Sequence, residues 1–274
     1  MSKIKRKLGI IAGCLAGVPE AEALELIQKA GFECYFTMWK GEDALAALVE
    51  KGNSLGLTCE FIHALFFDVN TIWEVGDAYL PLDVSLRETI DAAGKHGVPI
   101  VIVHLTSGWT PPAVCDLGLA RVDALLDYAA ARGVKLAFEN LRAVSHLAVL
   151  AERNRSTPHP SVGFCFDFGH ESCFTKTVEW MHIFEHDVIA THIHDNFSRG
   201  ERNADKVDLH LLPFDGSCDY ERIMRQMDEY GCDVPLMLEV FNAKRPEYLE
   251  WSHEQFLATA YERLRRISEM GSSK

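Results

Sequence analysis

The chain of 274 residues has few or none of several features that would by themselves indicate a class of function. Positive charge is scarce: 27 lysines and arginines against 40 acidic residues leave a net charge of −13, which argues against a general surface for nucleic acid. No apolar run approaches the roughly 20 residues of a membrane span, so we expect no membrane partner. The eight cysteines form no C-x-x-C pair. Without a recognisable secretory segment, they predict free thiols and a cytoplasmic location.

Motifs of short fixed spacing are also missing. The sequence has no P-loop and no G-x-S-x-G, and no Ser, His and Asp stand in the order of a hydrolase triad. The first predicted strand leads into IIAGCLAGVPE, whose two glycines do not make the G-x-G-x-x-G turn of a dinucleotide-binding fold. An open doubly wound sheet is therefore a weaker interpretation than a barrel.

Strand-like and helix-like segments alternate through the chain. Short apolar runs predict eight strands, at about 7–13, 34–38, 57–64, 100–105, 135–140, 162–168, 188–195 and 235–240. Between them, stretches such as PEAEALELIQKAG and LARVDALLDYAAARG space apolar residues three and four apart and end at glycine, and a last helix is predicted near 252–270. Eight strand–helix units without a linker predict an α/β fold, a (β/α)8 TIM barrel that forms a single domain over residues 1–274.

Six of the predicted strands end in residues that can bind a metal. These residues are His63, His104, Glu139, Asp167, the pair His192 and His194, and Glu239. An acid or imidazole at the end of a buried strand is costly without a partner, and the carboxyl ends of barrel strands meet at one face. We therefore expect Glu139, Asp167, a strand-seven histidine and Glu239 to form a metal centre. Oxygen-rich ligands with an imidazole suit a divalent ion such as Zn²⁺ or Mn²⁺.

Further ligands are expected at the same face. His170 follows Asp167 by three residues in FDFGH, and Asp208 and His210 are two apart in VDLH, so both can point at one ion. Together with the histidines that end strands three and four, they predict at least one ion beyond the core site.

Strand seven offers two histidines for one ligand position. His192 and His194 are two apart, so both side chains face the same way, and the spacing does not choose between them. Asp195 follows directly and is a candidate acceptor for an imidazole N–H.

At this point the motifs resemble those of a known superfamily, the xylose isomerase-like barrels. It contains sugar and sugar-phosphate isomerases and epimerases, together with the endonuclease IV group of abasic-site nucleases. The resemblance covers nearly the whole chain and is carried by FEN at Glu139, FDFGH at Asp167, HIHD at His192, DLHLLPFDG at Asp208 and LEV at Glu239. In both branches the strand-seven ligand precedes an acidic residue by three, which points to His192 over His194.

The resemblance implies two ligand sets. In the isomerase and epimerase branch, one metal would be held by Glu139, Asp167, His192 and Glu239. In the endonuclease branch, three zinc ions would be held by His63, His104, Glu139, Asp167, His170, His192, Asp208, His210 and Glu239, and all nine positions carry a competent residue. Two departures weaken the nuclease interpretation: LLPFDG stands where that family has a G-E-G turn, and residues 65–82 and 105–120 hold no Lys or Arg.

The favoured hypothesis is a metal-dependent isomerase or epimerase of a small sugar or sugar-phosphate-like substrate, with Glu139 and Glu239 transferring the proton. The alternative is an endonuclease IV-like phosphodiesterase with several zinc ions that acts on abasic-site DNA. Under the favoured hypothesis we expect a carbohydrate-like partner and no nucleic acid.

The predicted pocket is apolar on one side and basic on the other. The loops after strands three and four carry Phe66, Phe67, Trp73 and Trp109, which could stack on a substrate. The residues expected to bind the substrate are His170, Arg142, Arg199 and Trp109. The other interpretation is that the aromatic residues pin the loops to the barrel rim, or form the subunit contact of a homo-oligomer.

Overall fold

Eight parallel strands lie side by side in a computed structural model that describes residues 4–198 and 208–271. They are β1 (Leu8–Ile11), β2 (Cys34–Met38), β3 (Thr58–His63), β4 (Ile100–Val103), β5 (Lys135–Glu139), β6 (Val162–Asp167), β7 (Val188–His192) and β8 (Leu236–Leu238). The strands follow one another in chain order around the sheet, and β1 also pairs with β8. The Ile193 N–H donates to the Met237 carbonyl at 2.8 Å and the Glu239 N–H donates to the Ile193 carbonyl at 3.0 Å, which closes the sheet.

Helices surround this ring. They are α1 (Glu20–Ala30), α2 (Glu42–Ser54), α3 (Leu80–His96), α4 (Asp116–Ala130), α5 (Val144–Ser156), α6 (Phe168–Phe174), α7 (Trp180–Phe184), α8 (Tyr220–Glu229), α9 (Pro246–Leu249) and α10 (His253–Ser268). The predicted TIM barrel is therefore confirmed.

The helix boundaries follow the sequence signals. α1 and α3 end at Gly31 and Gly97, whose φ angles of 105° and 72° lie in the left-handed region that glycine enters without steric cost. α10 begins at a capping box, in which the Ser252 side chain accepts from the Gln255 N–H and the Gln255 side chain accepts from the Ser252 N–H.

Aromatic side chains fill the barrel interior below the carboxyl ends of the strands. Phe36 and Phe61 are buried and stacked, with ring centroids 4.7 Å apart. The ring of His192 lies on Phe36, with centroids 5.0 Å apart. Burying a phenylalanine contributes about 1.5–3 kcal/mol, so this stack is a firm apolar floor for whatever lies above it.

The cysteines fit the sequence expectation. All eight cysteines are free thiols. Within the described ranges, no helix combines the length and the apolar character that a membrane crossing requires.

Candidate metal centre

The ends of successive strands bring the predicted ligands together. His63, Glu139, Asp167 and His192 are the last residues of β3, β5, β6 and β7. His104 and Glu239 directly follow β4 and β8. Parallel strands of a barrel all end at the same face, and the six side chains share one cluster there, with contacts of 3.1–3.8 Å between imidazoles and carboxylates.

His192 is at the centre of the cluster. Its Nδ1 lies 3.3 Å from Glu139 Oε2, 3.5 Å from Glu239 Oε2 and 3.8 Å from Asp167 Oδ2. The imidazole is fully buried, and its only hydrogen-bond partner among the described residues is the weakly bonding Cys165 thiol. Three carboxylates converging on a buried nitrogen are unfavourable unless a cation joins them.

Glu139 is surrounded by imidazoles. Its Oε2 is 3.1 Å from His104 Nε2 and 3.3 Å from His63 Nε2, and its Oε1 is 2.9 Å from His170 Nδ1. Burial alone would raise the pKa of Glu139, but the nearby imidazoles of His192 and His104 lower that pKa well below its ordinary value. Glu139 is therefore ionised at neutral pH, the form that a ligand or a base requires.

A second group of ligands adjoins the first through His170. His170 Nε2 lies 3.4 Å from Asp208 Oδ2, and His210 Nε2 lies 3.3 Å from Asp208 Oδ1. His194 is close enough to complete a four-residue group with these three. Burial would lower the pKa values of His170 and His210, but the surrounding carboxylates, Asp167 and Asp208 for His170, Glu239 and Asp208 for His210, raise both.

Three histidines are held in the orientation typical of metal ligands. Nδ1 of His63, His170 and His210 lies 2.8–3.1 Å from a backbone carbonyl, of Ala64, Asn140 and Glu239 respectively. In His63 and His210, an Nδ1–H that donates to the carbonyl leaves Nε2 to face a carboxylate, as in metal-bound histidines, whereas His170 Nδ1 also lies 2.9 Å from Glu139 Oε1. A cation or a proton must then sit between Nε2 and the facing oxygen.

Hydrogen bonds distinguish the two strand-seven histidines. His194 Nε2 lies 3.0 Å from Asp167 Oδ2, and its Nδ1 lies 3.2 Å from the side-chain amide of Asn196. An amide nitrogen only donates, so Nδ1 accepts and Nε2–H donates to Asp167. His194 therefore orients a carboxylate, whereas His192 Nδ1 faces three carboxylates without hydrogen-bonding to any of them, and the geometry favours His192 as the ligand.

Asp195 binds backbone amides rather than an imidazole, contrary to the sequence expectation. Its carboxylate accepts the backbone N–H groups of Asn196, Phe214 and Cys218 at 2.8–3.0 Å. These bonds fix the segment that follows Asp208 and His210 against the end of β7. The pairing depends on a chain reversal that the local sequence does not reveal.

Two buried asparagines, which the sequence patterns above did not indicate, hold the site in place. Asn140 Oδ1 accepts the Asp167 N–H at 2.7 Å, and Asn140 Nδ2 donates to the Asp167 carbonyl at 2.8 Å. Asn196 accepts the Leu209 N–H and contacts His194. Each asparagine directly follows a predicted strand or ligand motif, in FEN and HIHDN, and that position is the signal that could have found them.

The cluster opens into a cavity of about 400 Å³. Its lining includes Phe66, Arg142 and Phe241 beside the ligands. Phe66 stacks on His104 with ring centroids 4.5 Å apart. A larger hollow of about 660 Å³ shares Phe66 and Ser107 with this cavity. No group of candidate metal ligands among the described residues lies in it, so the candidate metal centre belongs to the smaller cavity.

Two of the other residues that were predicted to line the pocket, Trp109 and Trp73, do not line the cavity. Trp109 lies at the rim, 49% exposed, with its ring 5.6 Å from Phe174 and outside the cavity lining. Trp73 is buried, and its Nε1–H donates to the Leu105 carbonyl at 2.7 Å, so it pins the loop rather than facing a substrate. Arg199 lies outside the described residues.

Comparisons with known proteins give a consistent fold. A curated relative, the uncharacterised protein y4fM of Sinorhizobium fredii, is 28% identical over 165 residues, 56% of this chain and 51% of that protein. The matched region thus spans about half the length of that relative. Among solved structures, a D-tagatose 3-epimerase-like protein has a TM-score of 0.71 at 18% identity, covering 95% of this chain and 98% of that chain. The E. coli 3-keto-D-glucoside 4-epimerase YcjR has a TM-score of 0.71 at 16% identity, covering 96% and 100%.

The family is shown by a family model rather than by these individual proteins. At these identities the structural likeness shows the fold alone. The model of one family, described as xylose isomerase-like TIM barrel, matches residues 21–267. Because that match extends over most of the chain, the protein belongs to the xylose isomerase-like TIM barrel family.

Proposed function

We propose that this protein is a metal-dependent isomerase or epimerase of a small sugar or sugar-phosphate-like substrate. The observation that carries the proposal is the buried, unpaired His192 Nδ1 with oxygens of Glu139, Asp167 and Glu239 at 3.3–3.8 Å. The names of the similar structures, a D-tagatose 3-epimerase-like protein and a 3-keto-D-glucoside 4-epimerase, support the sugar class.

The donor set fits a divalent cation. Glu139, Asp167, His192 and Glu239 would hold it, and mixed nitrogen and oxygen ligands suit Zn²⁺ or Mn²⁺. His63, His104, His170, Asp208 and His210 would hold at least one further ion, because their imidazoles face carboxylates across 3.1–3.4 Å. Such an ion supplies Lewis acidity, which polarises a substrate carbonyl and acidifies the neighbouring C–H.

The protein's own contribution is proton transfer between two glutamates. Glu139 and Glu239 both line the cavity, and both lie within 3.5 Å of His192 Nδ1. One carboxylate would take the proton from the carbon next to the carbonyl. The other would return a proton to the opposite face of that carbon, or to the adjacent carbon. His170 and Arg142 would orient substrate oxygens, and the Phe36 floor keeps water from entering below.

Solvent exchange tests this proposal because it does not require the product to be identified. The metal-loaded protein is incubated in D₂O with a panel of ketoses and aldoses, and NMR follows deuterium entering the carbon beside the carbonyl. The wild type and the exposed-site control Glu221→Gln should exchange with at least one sugar. Glu139→Gln and Glu239→Gln should lose roughly 100-fold or more of the rate, the scale of general acid–base catalysis. Full exchange in both site variants would refute the mechanism.

The phosphodiesterase alternative is supported by one observation, the convergence of all nine ligand positions expected of an endonuclease IV-like site. Against it, Arg142 is the only Lys or Arg among the described residues that line the cavity. Incubating stoichiometric metal-loaded protein with an abasic-site duplex decides the matter: incision would establish this alternative in place of the isomerase, and intact duplex would remove it.

A further inference from the structure

Arg142 lies beside the candidate metal ligands, and no described residue supplies the carboxylate partner that an arginine in such a position normally has. It follows Glu139 by three residues at the end of β5 and lines the same cavity. Its guanidinium carbon lies 3.7 Å from the centroid of the Phe174 ring and 5.4 Å from that of Trp109. The cation is thus held between aromatic rings at the edge of the candidate site.

No carboxylate in the described part of the chain pairs with this arginine, although Glu139, Asp208 and Glu239 line the same cavity. Its Nε is buried and makes no hydrogen bond. Two other partly or fully buried arginines differ, since Arg6 and Arg222 each lie 2.7 Å from a carboxylate oxygen. An unpaired buried donor on a charged group is costly, and because no described residue pairs with it, a bound anion is the partner that we expect.

The geometry limits what that partner can be. Stacking on an aromatic face leaves the edge of a guanidinium free, and its parallel N–H donors match the two oxygens of a carboxylate or phosphate. A neutral hydroxyl would satisfy one donor and leave the charge unpaired.

We infer that Arg142 selects a sugar that carries an anionic group, a carboxylate or a phosphate, placed away from the reacting carbonyl. This inference rests on the proposed isomerase or epimerase function, which it narrows to sugar acids or sugar phosphates. Discrimination follows because a neutral sugar would cover the guanidinium without pairing it.

Binding of unreactive polyols tests the inference independently of turnover. Sorbitol, gluconate and sorbitol 6-phosphate lack a carbonyl that could react, and calorimetry measures their affinities for metal-loaded protein. The wild type should bind at least one of the two anions roughly 10- to 100-fold more tightly than sorbitol, the range of a charge-assisted pair. Which anion binds more tightly distinguishes a sugar acid from a sugar phosphate.

Variants of Arg142 test whether this residue causes the preference for anionic polyols. Arg142→Gln should abolish the preference, and Arg142→Lys should restore part of it, because lysine keeps the charge but loses the two-point geometry. Arg225→Gln, at an arginine of α8 outside the cavity, should keep the preference. A preference that survives Arg142→Gln would mean that the metal, and not this arginine, binds the anion. No preference in the wild type would overturn the inference equally.

Exchange in D₂O separates this inference from the function on which it rests. Fructose, fructose 6-phosphate and 5-ketogluconate are compared. Faster exchange with an anionic sugar supports both the isomerase proposal and the anion selectivity of Arg142. Equal rates for neutral and anionic sugars would refute the anion selectivity while leaving the isomerase proposal intact. No exchange with any sugar, together with an anion preference that depends on Arg142, would refute the isomerase proposal and keep the anion site.

Discussion

Asn140 offers a sharp test of how the site is held together, because it is not itself an expected ligand. Its fully buried side chain bridges β5 and β6, accepting the Asp167 N–H at 2.7 Å and donating to the Asp167 carbonyl at 2.8 Å. Asn140→Ala removes both bonds at once. The Asp167 main chain then loses the contacts that set where its carboxylate points.

The expected cost follows from these two bonds. Leaving a buried polar group without its partner costs about 1–3 kcal/mol, so for the two groups we expect a total loss of about 2–6 kcal/mol in the free energy of unfolding. In a chain of this size that corresponds to a fall in Tm of roughly 5–10 °C. Loss of a group that orients a ligand also lowers metal affinity, typically about 10- to 100-fold.

A matched control separates stability from positioning. Asn154 is also buried and makes two hydrogen bonds, donating to Asp187 Oδ2 at 2.8 Å and accepting the His159 N–H at 2.9 Å, but both partners lie before strands, at the other end of the barrel. Asn154→Ala should lower Tm without changing metal affinity, measured by competition with a chelator. Unchanged metal affinity in Asn140→Ala, or an equal loss in both variants, would refute the reasoning.

The fold and the contents of the site could be predicted from the sequence for the same physical reason. Apolar runs that end in an acid or imidazole mark strands of a parallel barrel, and all such ends meet at one face. His63, Glu139 and Asp167 are therefore last residues of strands, as predicted. Strand boundaries were less accurate: the seventh strand was predicted to reach 195, but β7 ends at His192 and continues only as isolated bridges.

Contacts between distant segments could not be predicted. Alternation places His192 and His194 on the same side of the strand. They differ because only His194 forms hydrogen bonds with the Asp167 carboxylate and the Asn196 amide. Trp73 and Trp109 are likewise alike in sequence, but one is buried under its loop and the other is exposed at the rim. These differences arise from tertiary packing, which a local pattern does not encode.

Three further predictions concern the metal ions and the mouth of the cavity. Elemental analysis should find at least two divalent ions per chain, and one fewer in the double variant Asp208→Ala and His210→Ala; a single ion in both proteins would contradict the proposed second site. Trp109→Ala should raise KM more than it lowers kcat, because the ring packs at the rim and away from the reacting atoms, and an unchanged KM in steady-state assays would place the substrate elsewhere. Burial alone would lower the pKa values of His170, His192 and His210. Neighbouring groups raise all three above the ordinary value of 6.5: Asp167 and Asp208 for His170, Cys165 with Glu239 and Glu139 for His192, and Glu239 and Asp208 for His210. In the metal-free protein these histidines therefore contribute stability that is present below about pH 6.5 and lost as the pH rises through the raised pKa values. Because a metal must displace these protons, its affinity should rise as the pH rises above about 6.5, with net proton release. Calorimetry would show this release as a dependence of the binding enthalpy on the ionisation enthalpy of the buffer. An affinity independent of pH would show that these imidazoles do not bind the ion.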